Sequence, residues 1–214
     1  MSPLFRSQAL LTRIIWSLLL LFAAYAIIRG RWEVGAVALV TLTLAMAPAY
    51  IARWAEVDVP RSFIAATTMF TGGTLFLGEV FQFYYRFWWW DIAMHGGSAL
   101  GFGLIGVILV VMMFQGDRYA APPWAMAFFA FCFAMTIGTV WEIFEYAMDQ
   151  SFGTNMQKSG LQDTMGDLIV DAIGATLGAG AGYAWLKKQN LGGLTGIIQA
   201  FVIGNPRMFR RFRR

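Results

Sequence analysis

Charged side chains are scarce in this sequence. Only 13% of its residues are Asp, Glu, Lys or Arg, while 58% are hydrophobic, and the mean hydropathy is +0.59. A soluble domain needs roughly a quarter of its residues charged to cover its surface. The composition therefore excludes an ordinary soluble protein and predicts an integral membrane domain.

Cysteine and histidine each occur once. The single cysteine, Cys132, excludes a disulfide within the chain and a metal site built from several thiolates. A phosphate-binding glycine loop, an HExxH motif and a Ser-His-Asp order are also absent. The net charge of +4 is concentrated in the C-terminal RMFRRFRR. Beside an apolar segment, this tail favours anchoring on an anionic membrane leaflet rather than binding to nucleic acid.

Long apolar runs are abundant instead, and they predict an all-α, polytopic membrane helix bundle. The six predicted spans are 14–28, 34–52, 63–83, 91–114, 124–146 and 163–185. The first run could also be a signal peptide, since Ala24-Tyr25-Ala26 resembles a cleavage site. We favour an uncleaved helix because Ile27 and Ile28 continue the run. The segment 194–203 is too short to span and predicts an interfacial helix.

Orientation follows from the basic residues. If the six spans alternate, twelve Lys and Arg lie on the side of both termini, and four lie on the other. The four are Arg29, Arg31, Arg86 and Lys158. Because basic loops stay inside, both termini are predicted to be cytoplasmic. We expect one transmembrane domain over 1–190, then an amphipathic segment and basic cytoplasmic tail over 191–214.

Acidic residues gather at the outer ends of these spans. Glu142 and Glu145 share one face of a helix. Asp163, Asp167 and Asp171 are spaced by four and form a stripe ~12 Å long on another helix. Carboxylates inside a membrane are costly and therefore point to function.

The fourth span adds Asp91 and His95, four residues apart and at the same predicted depth. Crowded carboxylates need a compensating cation, and Arg86 and Lys158 in the loops are the nearby basic candidates. We therefore predict a divalent metal, with oxygen ligands favouring Mg²⁺, Mn²⁺ or Ca²⁺ over Zn²⁺. The predicted metal ligands are His95, Glu142, Glu145, Asp163 and Asp167.

The predicted catalytic residues are Asp91, His95 and Asp171. Asp91 is expected to orient His95, and Asp171 to support the ligands or act as a base. The polar loop 149–162 would cover the site. Other interpretations stay open: Asp91 and Asp163 could be helix N-caps, and His95 could be a core residue with satisfied hydrogen bonds.

Two functions fit this pattern. The first is a metal-dependent membrane enzyme or metal-binding protein that acts on a lipid or lipid-linked, phosphorylated substrate at the outer face. The second is a non-enzymatic channel, transporter or accessory subunit in which the acids carry protons or cations, or are structural. The lipid bilayer is a partner in either case, and nucleic acid is not.

Three segments carry a family resemblance: WWWDIAMHGGSALGF, WEIFEYAMD and FGTNMQKSGLQDTMGDLIVDAIGA. They resemble the bacterial inner-membrane proteins grouped as DUF2238, or YjdF-like. A more distant similarity is to VanZ-like membrane proteins, whose motif positions Asp91, His95, Glu142 and Asp167 or Asp171 would occupy. The resemblance implies a six-span protein of the bacterial inner membrane, and it implies no activity or substrate.

Overall fold

The fold of the protein is helical in the computed structural model, which describes residues 3–114, 121–189 and 192–209. The helices are α1 (Pro3–Ser7), α2 (Leu10–Ile28), α3 (Trp32–Trp54), α4 (Arg61–Thr71) with the π-helix Gly72–Val80, α5 (Phe83–Arg86), α6 (Trp90–Met113), α7 (Pro123–Phe152), α8 (Leu161–Leu186) and α9 (Gly193–Gly204). Within the described ranges there is no β-strand.

Six of these helical segments are long and apolar enough to cross a membrane: α2, α3, α4 together with the π-helix, α6, α7 and α8. The predicted all-α membrane helix bundle is thereby confirmed. The 12-residue α9 is a shorter apolar helix, as the sequence predicts. Its placement at the membrane interface stays a prediction.

The largest difference from the predicted spans is at the end of α7, which continues to Phe152 rather than ending near Tyr146. Residues 147–152 contain no glycine or proline that would stop the helix. The helix ends where Gly153 adopts a left-handed conformation with φ of 65°. Asp149, expected in a loop, therefore lies in the last turn of α7.

The chain forms two compact units, Met1–Trp90 and Asp91–Arg214, and each is described by itself. In the first unit, α2 and α3 pack around a buried cluster of Trp16, Ala45, Ala49 and Ile64. Trp88, in the aromatic run 84–90, is 83% exposed. An exposed indole is typical of the membrane–water interface.

In the second unit, α6 and α8 run parallel and in close contact along a line of glycines. A Cβ added at Gly174 would collide with the carbonyl oxygen of Gly96, and one added at Gly103 would lie 3.0 Å from the Cα of Gly178. These approaches need residues without side chains. The glycines of α8 at 174, 178 and 182, which repeat every four residues, therefore form the face that packs on α6.

Helix α7 runs antiparallel to α6 and α8. Gly106 of α6 meets the backbone of Ala130 near the start of α7, and Gly138, further along α7, faces Asp171 of α8. Helix α9 closes the opposite end of this unit, where Ile198 is fully buried in the main apolar cluster. The unit thus has an apolar end beside α9 and a polar end where α6 and α8 begin.

Several sequence predictions lie outside the described residues or stay predictions. Arg118 and the basic residues at 210–214, which support the predicted orientation, are outside the described ranges. The cytoplasmic location of both termini and the division into 1–190 and 191–214 stay predictions.

Candidate functional site

His95 lies at the centre of a group of carboxylates at the polar end of the second unit. Its Nε2 is 4.0 Å from Oδ1 of Asp91, 3.8 Å from Oε1 of Glu142 and 3.9 Å from Oδ2 of Asp167. Glu142, Asp167 and His95 are buried, at 4%, 5% and 9% exposed. Three helices therefore aim carboxylate oxygens at one nitrogen.

The other ring nitrogen of His95 faces a fourth carboxylate. Nδ1 lies 3.4 Å from Oδ1 and 3.5 Å from Oδ2 of Asp171, which is 1% exposed. A carboxylate on one nitrogen of an imidazole selects the tautomer with the proton on that nitrogen. In that tautomer Nδ1–H donates to Asp171, and the lone pair of Nε2 points at the other three carboxylates.

Helix periodicity and glycine packing bring these groups together. Asp91 and His95 are one turn apart on α6, and Asp167 and Asp171 are one turn apart on α8, so each pair shares a face. The contact between Gly96 and Gly174 sets the two helices level with each other. Consequently His95 lies opposite both aspartates of α8.

The spacing of these groups suits a cation better than direct hydrogen bonds. The ligand atoms of Asp91, His95 and Asp167 all lie within 4.8 Å of one another. Two atoms bound to one cation at about 2.0–2.6 Å can lie at most about 4–5 Å apart. The three residues could therefore hold one metal ion if their ligand atoms moved toward one another by a few tenths of an ångström or less.

Glu142 lies at the edge of this group with its carboxylate unsatisfied. Both oxygens are buried, and neither forms a hydrogen bond of acceptable geometry within the described part of the chain, although the Thr164 hydroxyl lies beside them. The neighbouring Thr164 hydroxyl accepts a hydrogen bond of 2.7 Å from the amide of Gln157. Because buried polar groups are nearly always paired, this carboxylate marks a place where a further polar species would be stabilised.

The loop between α7 and α8 brings a basic side chain to the same place. Lys158 forms an ion pair with Oδ2 of Asp91. The loop is folded onto Asp149, whose Oδ1 accepts from the Thr154 hydroxyl at 2.6 Å and from the backbone N–H of Met156 at 2.7 Å. Oδ2 of Asp149 accepts from the backbone N–H of Gln157 at 3.0 Å. This network fixes the residue next to Lys158.

The charge of Lys158 is maintained by its surroundings. Partial burial disfavours the ammonium, but the hydrogen bond to Asp91 and the charges of Asp91, Asp163 and Asp167 outweigh burial, so that the pKa of Lys158 is raised above its ordinary value. Lys158 therefore carries a positive charge into the group of acids at neutral pH.

Comparison with known proteins agrees with this architecture. Residues 10–188 match the family described as predicted membrane proteins, DUF2238. The chain belongs to the DUF2238 family. The match includes all the residues around His95. The similarity to VanZ-like proteins stays a prediction.

One curated relative of this DUF2238 protein is an uncharacterised protein of Thermotoga maritima. It is 28% identical over 98 residues, which cover 46% of this chain and 50% of the relative. The chain thus spans about half the length of the curated relative it matches. No solved structure matches the chain.

The DUF2238 structure brings most of the predicted site residues to His95, but it places two of them elsewhere. Glu145 accepts a hydrogen bond of 2.9 Å from the indole N–H of Trp141 on its own helix. Asp163 is half-buried and feels the charges of Lys158, Asp91 and His95. Like Glu142, it is outside the group of three residues whose ligand atoms cluster, but Glu142 approaches Nε2 of His95 to 3.8 Å.

Two aspartates take different positions from those expected for them. Asp171, rather than Asp91, lies on Nδ1 of His95, and Asp91 faces Nε2 with Glu142 and Asp167. The N-cap interpretation is wrong for Asp163, because Gly160 is the N-cap of α8. Asp91 likewise lies inside the first turn of α6. Carboxylates there still interact favourably with the helix dipole.

Sequence reasoning missed Gly138 and Thr164 as part of the site. A Cβ at Gly138 would collide with the carboxylate of Asp171, so the glycine makes room for that side chain. The available signal was its position one helical turn before Glu142. Thr164 follows Asp163 in the sequence and lies beside Glu142.

Proposed function

We propose that this DUF2238 protein holds one divalent metal ion in the membrane, bound by His95 Nε2 and by the carboxylates of Asp91, Glu142 and Asp167. Asp171 fixes the orientation of His95 through Nδ1. The observation that carries the proposal is the Glu142 carboxylate, which is 4% exposed, forms no hydrogen bond of acceptable geometry in the described residues, and lies 3.8 Å from Nε2.

Charge balance supports a cation at this position. Asp91, Glu142, Asp167 and Asp171 surround one imidazole, and Lys158 is paired with Asp91. Several ionised carboxylates in a low-dielectric site repel one another and lose hydration. A divalent ion offsets both effects. Carboxylates with a single imidazole favour Mn²⁺ or Mg²⁺, with Ca²⁺ also compatible, over a structural zinc site built from Cys and His.

The proposed reaction is hydrolysis or transfer at a phosphorylated lipid or lipid-linked molecule. A bound metal ion would polarise a phosphoryl oxygen and lower the pKa of a bound water. Support comes from depth: His95 is in the second turn of α6, and Asp167 is in the second turn of α8, close to where lipid headgroups begin. The basic asymmetry of the loops favours the outer face of a bacterial inner membrane.

The proposal is tested by metal binding to the detergent-purified protein. We expect Mn²⁺ titration followed by electron paramagnetic resonance to reveal one site, and metal analysis to find about one divalent ion per chain. Glu142→Gln and Asp167→Asn should lose the signal. Glu145→Gln is the matched control on α7 and should retain the Mn²⁺ signal, because the Glu145 carboxylate accepts a hydrogen bond from Trp141 rather than facing His95. A wild-type protein that binds no divalent ion would overturn the proposal.

A second function, a proton or cation pathway without catalysis, is favoured by one observation. Burial increases along the stripe of α8, from half-buried Asp163 to Asp167 at 5% and Asp171 at 1% exposed. Such a graded series is compatible with stepwise entry of a cation. Proteoliposomes containing wild-type protein or Asp167→Asn distinguish the two functions, since a pathway predicts a flux that the variant abolishes, and an enzyme predicts no flux.

A further inference from the structure

We propose that the α7–α8 loop, residues 153–160, is a cationic strap: the Lys158 ammonium pairs with Asp91 and must leave when a divalent ion binds there. This inference rests on the proposed metal centre and adds a device that controls entry to it. It is carried by the ion pair between Lys158 Nζ and Oδ2 of Asp91.

The position of Asp91 makes the two cations competitors. One oxygen of Asp91 faces Nε2 of His95 at 4.0 Å, and the other oxygen is the partner of Lys158. A metal bound between Asp91 and His95 would therefore lie within a few ångströms of the ammonium. Like charges this close repel, and the partial burial of the Lys158 and Asp91 side chains strengthens the repulsion. Metal binding and the Lys158–Asp91 contact consequently oppose each other.

The strap is held at one end and hinged at both. Asp149, in the last turn of α7, anchors it through the hydroxyl of Thr154 and the backbone N–H groups of Met156 and Gln157. Gly153 and Gly160 bound it with φ of 65° and 69°, conformations that glycine adopts without strain.

Lys158 itself has a φ of 34°, which is unfavourable for a residue with a side chain. The hydrogen bonds to Asp149 hold the backbone next to Lys158 in place. Displacement of the Lys158 side chain alone is therefore easier than displacement of the loop as a whole.

The first test compares Mn²⁺ affinity in three full-length proteins. Lys158→Met removes the competing ammonium and should tighten Mn²⁺ binding at least tenfold relative to wild type. Lys188→Met is the matched control, because it removes the same charge beyond the other end of α8, ~40 Å along the helix, and should leave the affinity unchanged. Equal or weaker binding by Lys158→Met, with wild type binding Mn²⁺, would overturn the strap.

The second test does not require metal binding. Trypsin cuts after Lys158 only when its side chain is released, and cleavage after Lys188 in the same molecule serves as the reference. Asp91→Asn should raise the relative cleavage at Lys158 several-fold, and Mn²⁺ should do the same in the wild type. If neither the wild type nor the variants bind Mn²⁺, the proposed metal centre is wrong. The rate of cleavage after Lys158, relative to Lys188, then tests by itself whether Asp91 holds Lys158 in place. An unchanged rate in Asp91→Asn would overturn it.

Discussion

Adding one methyl group at Gly138 should damage the site far more than the fold. A Cβ at this position would lie 2.9 Å from Cγ and 3.4 Å from Cβ of Asp171, and it would overlap the carboxylate oxygen. The colliding atoms belong to a side chain that can rotate, so the helices need not separate. Rotation, however, moves the carboxylate away from His95 Nδ1, which it now approaches to 3.4 Å.

The expected magnitudes separate the two effects of Gly138→Ala. Replacing a helical glycine by alanine stabilises the helix by about 1 kcal/mol, and overpacking costs about 1–3 kcal/mol. The free energy of unfolding should therefore fall by only about 0–2 kcal/mol. Loss of the group that orients a metal-binding histidine typically lowers metal affinity about 10–100-fold, and we expect a loss in that range for Mn²⁺.

The assay is Mn²⁺ titration by electron paramagnetic resonance, with a thermal melt of the same preparation. Gly101→Ala on α6 is the matched control, since no described residue lies within 4 Å of its added Cβ, and its affinity for Mn²⁺ should equal that of wild type. A folded Gly138→Ala protein with wild-type affinity would refute the assigned role of Asp171. A similar loss in Gly101→Ala would show that the effect is not specific to the site.

Three further predictions concern the same unit. Gly178→Ala should lower the melting temperature more than Gly138→Ala does, because its Cβ meets backbone atoms of α6 that cannot rotate away. Gly180→Ala, with no described residue within 4 Å of its Cβ, should lose no stability. Asp171→Asn should keep the melting temperature and weaken Mn²⁺ binding about tenfold or more, and equal affinity would contradict the role of its charge. A reporter fused after Gln157 should be active outside the cytoplasm and one at the C-terminus inside it, and the opposite result would invalidate the orientation.

The helical architecture was predictable because a long apolar run in the sequence indicates a segment that crosses the hydrocarbon core of the bilayer. In a membrane the backbone groups must form hydrogen bonds with one another, and a single apolar run does this by forming a helix. The four-residue spacing of Gly174 and Gly178 is typical of a helix contact face, and these residues pack against Gly96 and Gly103. The end of α7 was less predictable, since the capping residue Gly153 acts only after six more residues that have no apolar pattern.

The acids that lie around His95 were partly predictable from the sequence, but the position of each acid was not. Periodicity shows that Asp167 and Asp171 share a face, yet it cannot show which of them lies level with Nδ1 of His95. That depends on the axial position of α6 against α8, which is set by glycine contacts between the helices. Asp91 and Asp171 therefore take positions that spacing alone could not distinguish.

Glu145 illustrates a second limit of sequence reasoning. Its spacing from Glu142 is compatible with a shared ligand role, but a local partner, Trp141, holds its carboxylate on the surface of α7. Local hydrogen bonds of this kind compete with long-range convergence. The sequence indicates that Lys158 is a basic residue near the acids. Its ion pair with Asp91 depends on the folding of the loop onto Asp149, which the sequence does not predict.

The parallel packing of α8 on α6 has a consequence for biogenesis. Helix α8 has a mean hydropathy of 1.2, against 2.1 for α6, and an aspartate near a helix centre opposes translocon-mediated insertion by up to about 3 kcal/mol. Helix α6 is synthesised before α8. Its His95 contacts Asp171 of α8, and its backbone at Gly96 contacts Gly174 of α8. The residues around His95 would thus also ease the entry of α8, and substitutions at His95 should lower the yield of inserted protein.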